Sequence, residues 1–405
     1  MMPARRRFFG QLGVLGATFA LSGRSWAARL PVAGPRLVVV FLRGAVDGLN
    51  VVIPYTEAAY YDHRPTIAIA RPGQSNGALD LDGRFGLHPA LAPLLPLWTE
   101  RSLAFIHGCG SPDPSRSHFQ AQADMESACL GQPLPSGWMN RLLQVWAQPA
   151  SATTGVSFTA ALPHIFSGTA VATNFPLGPA ARRKTPLDRP QIETVFAPLY
   201  ESDAALGRAY HDGLHARQEL LGALSHEMAD SGQGAYGAGP FARDAAQAGS
   251  LLASDPSIRF AFLSIAGWDT HVNEGNAHGQ LATHLSALAR GLVSLKQNLG
   301  PAYQDTVIYV CSEFGRTVRE NGNHGTDHGH GNVHWMLGGP IKGGRVYGVW
   351  PGLDDESLYQ GRDLAVTTDY RACIDAVLER HLELSPGARQ QVLPGWTQSP
   401  VVLPI

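Results

Sequence analysis

Four short apolar runs, 36–42, 103–106, 258–265 and 305–311, are rich in β-branched and aromatic residues, a pattern that predicts buried strands. Helical patterns follow three of them, over about 115–129, 275–299 and from near Thr368. Strand alternating with helix restricts the chain to an α/β fold: a doubly wound, mostly parallel sheet covered on both faces. No internal repeat is evident. Residues 131–255 differ in texture, with Pro and Gly loops, a strand-like stretch at 155–158 and long helical patterns around 200–228 and 241–254. That stretch is expected to be an insertion or cap. Charged residues are only 16%, while 45 Gly and 29 Pro fit a compact, loop-rich globule without disordered charge blocks.

The predicted strands end in chemistry. In open α/β sheets ligands gather at the carboxyl ends of strands, and there this chain places carboxylates and imidazoles. After 305–311 comes S-E-F-G-R-T and then N-H-G-T-D-H-G-H-G-N, which carries Glu313, His324, Asp327, His328 and His330 among glycines that let the backbone fold tightly. After 258–265 comes G-W-D-T-H, where Asp269 and His271 are two apart and in extended backbone face the same way. After 36–42 comes R-G-A-V-D-G-L-N with Asp47, although Asp-Gly is also an ordinary turn dipeptide. Carboxylate oxygen with neutral imidazole suits zinc, manganese or iron better than calcium. The competing reading makes Asp269 a helix cap and His271 a hydrogen-bonded loop residue.

The segment S-P-D-P-S-R-S-H-F opens a predicted helix. Ser115 or Ser117 suits an N-cap there, and equally a nucleophile beside free backbone N–H groups and the positive end of the helix dipole. Arg116 could add a guanidinium fork to the oxygens of a phosphate or sulfate ester. His118 either holds Ser115 by a hydrogen bond or fills the interface beneath the loop. His226 has no second histidine four residues on, so His226-Glu227 is no zincin motif.

The N-terminus indicates the compartment. R-R-R-F-F at 5–9, an apolar run over 12–21 and S-W-A ending at Ala27 match a twin-arginine export leader over 1–27, too short and glycine-rich for a membrane span. The mature chain, 28–405, is then a periplasmic or extracytoplasmic protein with no transmembrane span. The leader holds four arginines and no acid, so its removal takes the net charge from −2 to −6. An acidic chain without a basic stripe argues against nucleic acid as partner. Four cysteines without CxxC spacing permit a disulfide in that compartment and leave its pairing open.

Together the leader, L-R-G-A-V-D-G-L-N, P-S-R-S-H-F, W-D-T-H, S-E-F-G-R, G-T-D-H-G-H-G and G-G-x-x-K-G-G-R-V-Y-G resemble the secreted bacterial family called domain of unknown function 1501. The resemblance implies an alkaline phosphatase/sulfatase-like core with a metal site at the strand ends. It implies one or two divalent ions, zinc or manganese foremost, and a small anionic ester substrate hydrolysed by a serine. It also implies a secreted protein partner. By that likeness Asp47 is a first-strand ligand, Asp269 and His271 bind one ion with His328 or His330, and Ser115 or Ser117 is the nucleophile. Glu313 stands where such proteins have an Asp-His pair. Phe314 replaces the histidine, so a second ion would need Asp327 or His324. The other outcome is a non-catalytic metal-binding or scaffold protein that kept the fold.

Overall fold

The apolar runs form strands at the middle of the molecule, and the computed structural model describes residues 34–146, 151–177, 240–397 and 401–405. In chain order the strands of the main sheet are β1 (Arg36–Arg43), β2 (Leu103–Gly110), β3 (Gly155–Ser157), β4 (Thr173–Asn174), β5 (Phe260–Ala266), β6 (Thr306–Ser312), β7 (Asn332–Gly338), β8 (Val346–Tyr347) and β9 (Thr368–Asp369), and Val52–Ile53, Leu79–Asp80 and Gly86–Leu87 form a separate small sheet. Among the described residues they make one nine-stranded sheet in the order β8-β2-β7-β6-β1-β5-β3-β4, with β9 also against β2. Only β7 runs antiparallel to its neighbours. β1 is central, its Val39 level with Phe262 of β5 on one side and Tyr309 of β6 on the other.

β1 is apolar at consecutive positions because the sheet is covered on both faces. Val38, Val40 and Leu42 pack into one core with α3 (Pro240–Ser254) and α4 (Gln280–Leu299). Leu37, Val39 and Phe41 pack into a second with α1 (His118–Ser127), α2 (Trp138–Val145) and α5 (Tyr370–Arg380). In α4 the buried leucines 281, 285, 288, 292, 295 and 299 recur every three or four residues, one helical stripe. Truncating one of them to Ala removes about 2–5 kcal/mol. Gly300, at φ +52°, ends that helix in a positive-φ conformation that glycine adopts freely. The architecture is therefore the doubly wound, mostly parallel α/β sheet that the sequence predicts.

Two expectations are bounded by the described residues. The leader at 1–27 and the helical pattern at 200–228 lie outside them. The described flanks of 131–255 join the main layers: β3 pairs in parallel with β5, and α3 packs in the same core as α4. Residues 178–239 of that stretch lie outside the described residues. Among the described residues no helix is long and apolar enough to cross a membrane. All four cysteines are free thiols, with the Cys109 and Cys373 sulfurs 3.8 Å apart in the core.

The topology gathers the polar loops. β1, β5, β6 and β2 all point the same way, so the turns after them open at one end of the sheet. β7 returns antiparallel, so the loop preceding it lies at that end too.

Candidate metal centre

Four side chains from three loops meet at this end. Asp269 and His271 follow β5, His328 comes from the β6–β7 loop, and His118 is the first residue of α1, reached through the loop after β2. The Asp269 Oδ1 atom is 3.0 Å from His271 Nε2, 3.2 Å from His328 Nε2 and 3.5 Å from His118 Nε2. His118, Asp269 and His328 offer ligand atoms within 4.8 Å of one another, and His271 Nε2 lies 3.0 Å from His328 Nε2.

Each ring is turned by what holds its other nitrogen. His118 Nδ1 is 2.8 Å from Glu313 Oε1, His271 Nδ1 is 3.1 Å from Asp327 Oδ1, and His328 Nδ1 is 2.8 Å from the Arg116 carbonyl oxygen. Carboxylates and carbonyls only accept, so each Nδ1 carries the proton, and in the neutral ring each Nε2 is a bare lone pair. Three lone pairs and a carboxylate oxygen then converge. The buried His118 Nε2 has no hydrogen-bond partner. Acceptors facing acceptors repel unless a cation lies among them, and an outer acceptor fixing the far nitrogen is how proteins orient imidazole ligands. The residues present therefore fit a divalent ion held by His118, Asp269 and His328, with His271 Nε2 beside them.

The electrostatics agree with that assignment. Burial raises the Asp269 carboxyl, but the hydrogen bond and charge of Arg316 outweigh it and hold the group ionised below the usual carboxylate range. Burial also raises Glu313, and the bonds from His118, Gln122 and the Gly44 N–H outweigh it in the same way. His118 is shifted upward, chiefly by its Glu313 bond, whereas burial lowers His328.

Arg316 ties the loops together. Its guanidinium donates to the carbonyls of Gly44, Ala45, Trp268 and Thr326 as well as to Asp269. The approach of the β1 turn to the β5 turn requires glycine at position 44: φ is +113°, and a Cβ there would stand 2.8 Å from the Asp269 nitrogen.

The structure brings together Asp269, His271, His328 and His118, with Glu313 and Asp327 behind them. It separates the rest. Asp47 lies apart from the cluster: it is fully buried and both its oxygens bind the Arg64 guanidinium. Glu313 is likewise no direct ligand, because its carboxylate turns back to His118, Gln122, Gly44 and Ser312. His330 leaves the cluster and stacks on Tyr359 at 4.3 Å, with burial lowering its pKa. His324 bonds Thr66 Oγ1.

In the segment before α1, Arg116 does not reach toward an anion, since Asp363 and Gln360 hold its guanidinium. Ser115 Oγ accepts the Ser117 N–H at 3.3 Å, and Ser117 occupies the N-cap position without a side-chain cap bond. Among the described residues neither hydroxyl bonds to the cluster. Phe314, at the place where a second histidine was expected, instead stacks on the His118 ring at 4.9 Å.

Sequence reasoning did not reach four residues that matter here. Arg316 stands inside S-E-F-G-R without a role, His118 has only the two readings of a Ser115 partner or filler beneath the loop, and Arg64 and Glu274 carry no local pattern at all. A buried arginine can be inferred only from the backbone that surrounds it.

A doubly wound α/β protein with an imidazole-carboxylate cluster at the strand ends is thus the class that fold and site define. The model of the family described as "Protein of unknown function (DUF1501)" matches residues 98–394, and the chain belongs to that family. None of the curated proteins matches it. Among solved structures, one similar chain is Ps i-CgsB in complex with k-i-k-neocarrahexaose, at 12% identity over 78% of this chain and 68% of that one, TM-score 0.35. Another is the C-terminal periplasmic domain of EcEptC from Escherichia coli in complex with Zn, at 12% identity over 75% of this chain and 73% of that one, TM-score 0.33.

Proposed function

We propose that this protein is a metal-dependent hydrolase of phosphate or related esters, exported folded to the periplasm. The observation that carries the reading is the convergence of His118, His271 and His328 Nε2 on Asp269 Oδ1. Three imidazoles and one carboxylate suit zinc ahead of manganese. A divalent ion held by them supplies Lewis acidity to an ester oxygen. Neutral imidazoles leave such an ion only partly neutralised by Asp269, and Arg316 adds a further positive charge, so the centre favours an anionic ester. Glu313 and Asp327 keep His118 and His271 in the tautomer that presents Nε2. Ser117, immediately before His118, and Ser115 are the hydroxyls proposed to attack.

The second reading is a non-catalytic metal-binding or scaffold protein, acting through a secreted protein partner. It is favoured by the engagement of Arg116 with Asp363 and of Ser115 with Ser117. Metal analysis of natively exported protein, followed by assay on a panel of phosphate and sulfate esters, separates the two. Turnover that is lost in His118→Ala, and in Ser115→Ala or Ser117→Ala, supports serine attack. Turnover that survives both serine changes assigns the attack to water, and bound metal without turnover on any ester supports the scaffold. Replacing Arg5 and Arg6 by Lys should leave uncleaved precursor in the cytoplasm, and normal export of that variant would overturn the leader assignment.

A further inference from the structure

Glu274 has no place in the cluster, yet it touches both loops that build it. Thr270 stands between Asp269 and His271, and Thr326 immediately precedes Asp327. Their hydroxyls donate to the same oxygen, Glu274 Oε2, at 3.0 Å and 2.7 Å. Backbone bonds run alongside: Thr326 N–H to the Thr270 carbonyl at 3.1 Å, and Glu274 N–H to the His324 carbonyl at 2.9 Å. The Glu274 side chain is fully buried, and its second oxygen faces Asn50 at 3.5 Å.

We propose that Glu274 is a positioning residue of the metal centre, a single acceptor that sets the Asp269–His271 loop against the Asp327–His328 loop and thereby sets the spacing of the nitrogen donors. This rests on the metal reading given above. Beside the bonds of Arg316 to Trp268, Asp269 and Thr326 and a few backbone bridges, the two loops are irregular, and no helix or strand fixes the distance between them. Two hydroxyls sharing one oxygen do fix it, because moving either loop lengthens a bond that has no water to replace it in a buried site. Burial, with the neighbouring Asp47 carboxylate, pushes the Glu274 carboxyl well above the usual range. Gln is then a near-isostere that keeps the acceptor, whereas Leu removes it.

The test is a cobalt(II) titration of the exported, metal-stripped protein, read by visible absorption, in which band position reports ligand geometry. Glu274→Gln should bind within about threefold of the parent, with the same bands. Glu274→Leu should bind roughly 10–100-fold more weakly, the range found for outer-shell losses, with shifted bands. Thr270→Val with Thr326→Val should behave as Glu274→Leu does and decides the matter if Glu274→Leu fails to fold. A folded Glu274→Leu, or the folded threonine pair, that binds cobalt with the parent's affinity and spectrum overturns the positioning role. A parent protein that takes up no cobalt overturns the metal reading itself, and the positioning role with it.

Discussion

The interior around Asp47 and the centre around Asp269 use the same residue types and arrange them in opposite ways. Around Asp47 every titratable side chain is closed by a protein partner: Arg64 covers both Asp47 oxygens, His88 lies between the Ala90 N–H and the Asn276 carbonyl, and His107 lies between the Gly108 N–H and the Val52 carbonyl. Around Asp269 each imidazole is closed on one nitrogen only, and the open nitrogens face one another. A closed group contributes to the fold and has nothing left to bind. An open one is tolerated where something else completes it, which is why the second cluster, and not the first, is the candidate ligand site.

The largest expected effect separates the two regions directly. Asp269→Ala with His271→Ala should abolish ion uptake, measured by metal analysis of the purified chain, and leave the metal-free protein folded. Unchanged metal content in that variant would put the ion elsewhere.

Next in size is the closed region. Arg64→Leu strands a fully buried Asp47 carboxylate, and removing one partner of a buried pair costs about 3–5 kcal/mol. Denaturant unfolding should register that loss while metal bound per folded molecule stays the same. A loss below about 1 kcal/mol, the range of exposed pairs, would mean that Arg64 does not close Asp47.

Acid distinguishes the histidines. Burial lowers His88 and His107 from 6.5 to about 4. Between those values the unfolded chain binds more protons than the folded one, so stability is complete above 6.5 and falls as pH drops toward 4. At about 1.4 kcal/mol per pKa unit, each histidine contributes roughly 3 kcal/mol to that fall. The open imidazoles also lose their ion as they protonate, so the unfolding series belongs on metal-free protein. Stability that is flat from pH 6.5 to 4 in that series would contradict the closed arrangement.

The smallest effect is at the site's edge. An N-cap serine replaced by Ala ordinarily costs about 1 kcal/mol, but Ser117 makes no side-chain cap bond, so Ser117→Ala should cost about 0.5 kcal/mol or less by thermal unfolding. A full-sized loss would return Ser117 to a capping role.

Much of this was legible in the chain. The β-branched runs identified β1, β5 and β6, and the two-residue spacing of Asp269 and His271 placed both on one centre, because these are properties of a few adjacent residues. Asp47 is expected from the sequence as a carboxylate just after a strand and as an ion ligand, and in the structure it follows β1 with both oxygens on Arg64. Its partner, Arg64, sits 17 residues on, and nothing local announces that a guanidinium will fold back over it. Glu313 was found at its strand end, but the direction of its carboxylate depends on His118, 195 residues away.

By itself, then, the sequence determined β1, β2, β5 and β6, the covering of the sheet on both faces and the end where polar residues collect, since periodicity and turn chemistry act over a few residues at a time, whereas the antiparallel β7 was not marked by it. Only the tertiary structure decided which nitrogens stay bare. Whether an imidazole or a carboxylate is open or closed depends on a partner brought from a distant loop within about 3 Å, and pairings at that range are set by packing of the sheet and its helices, not by spacing along the chain.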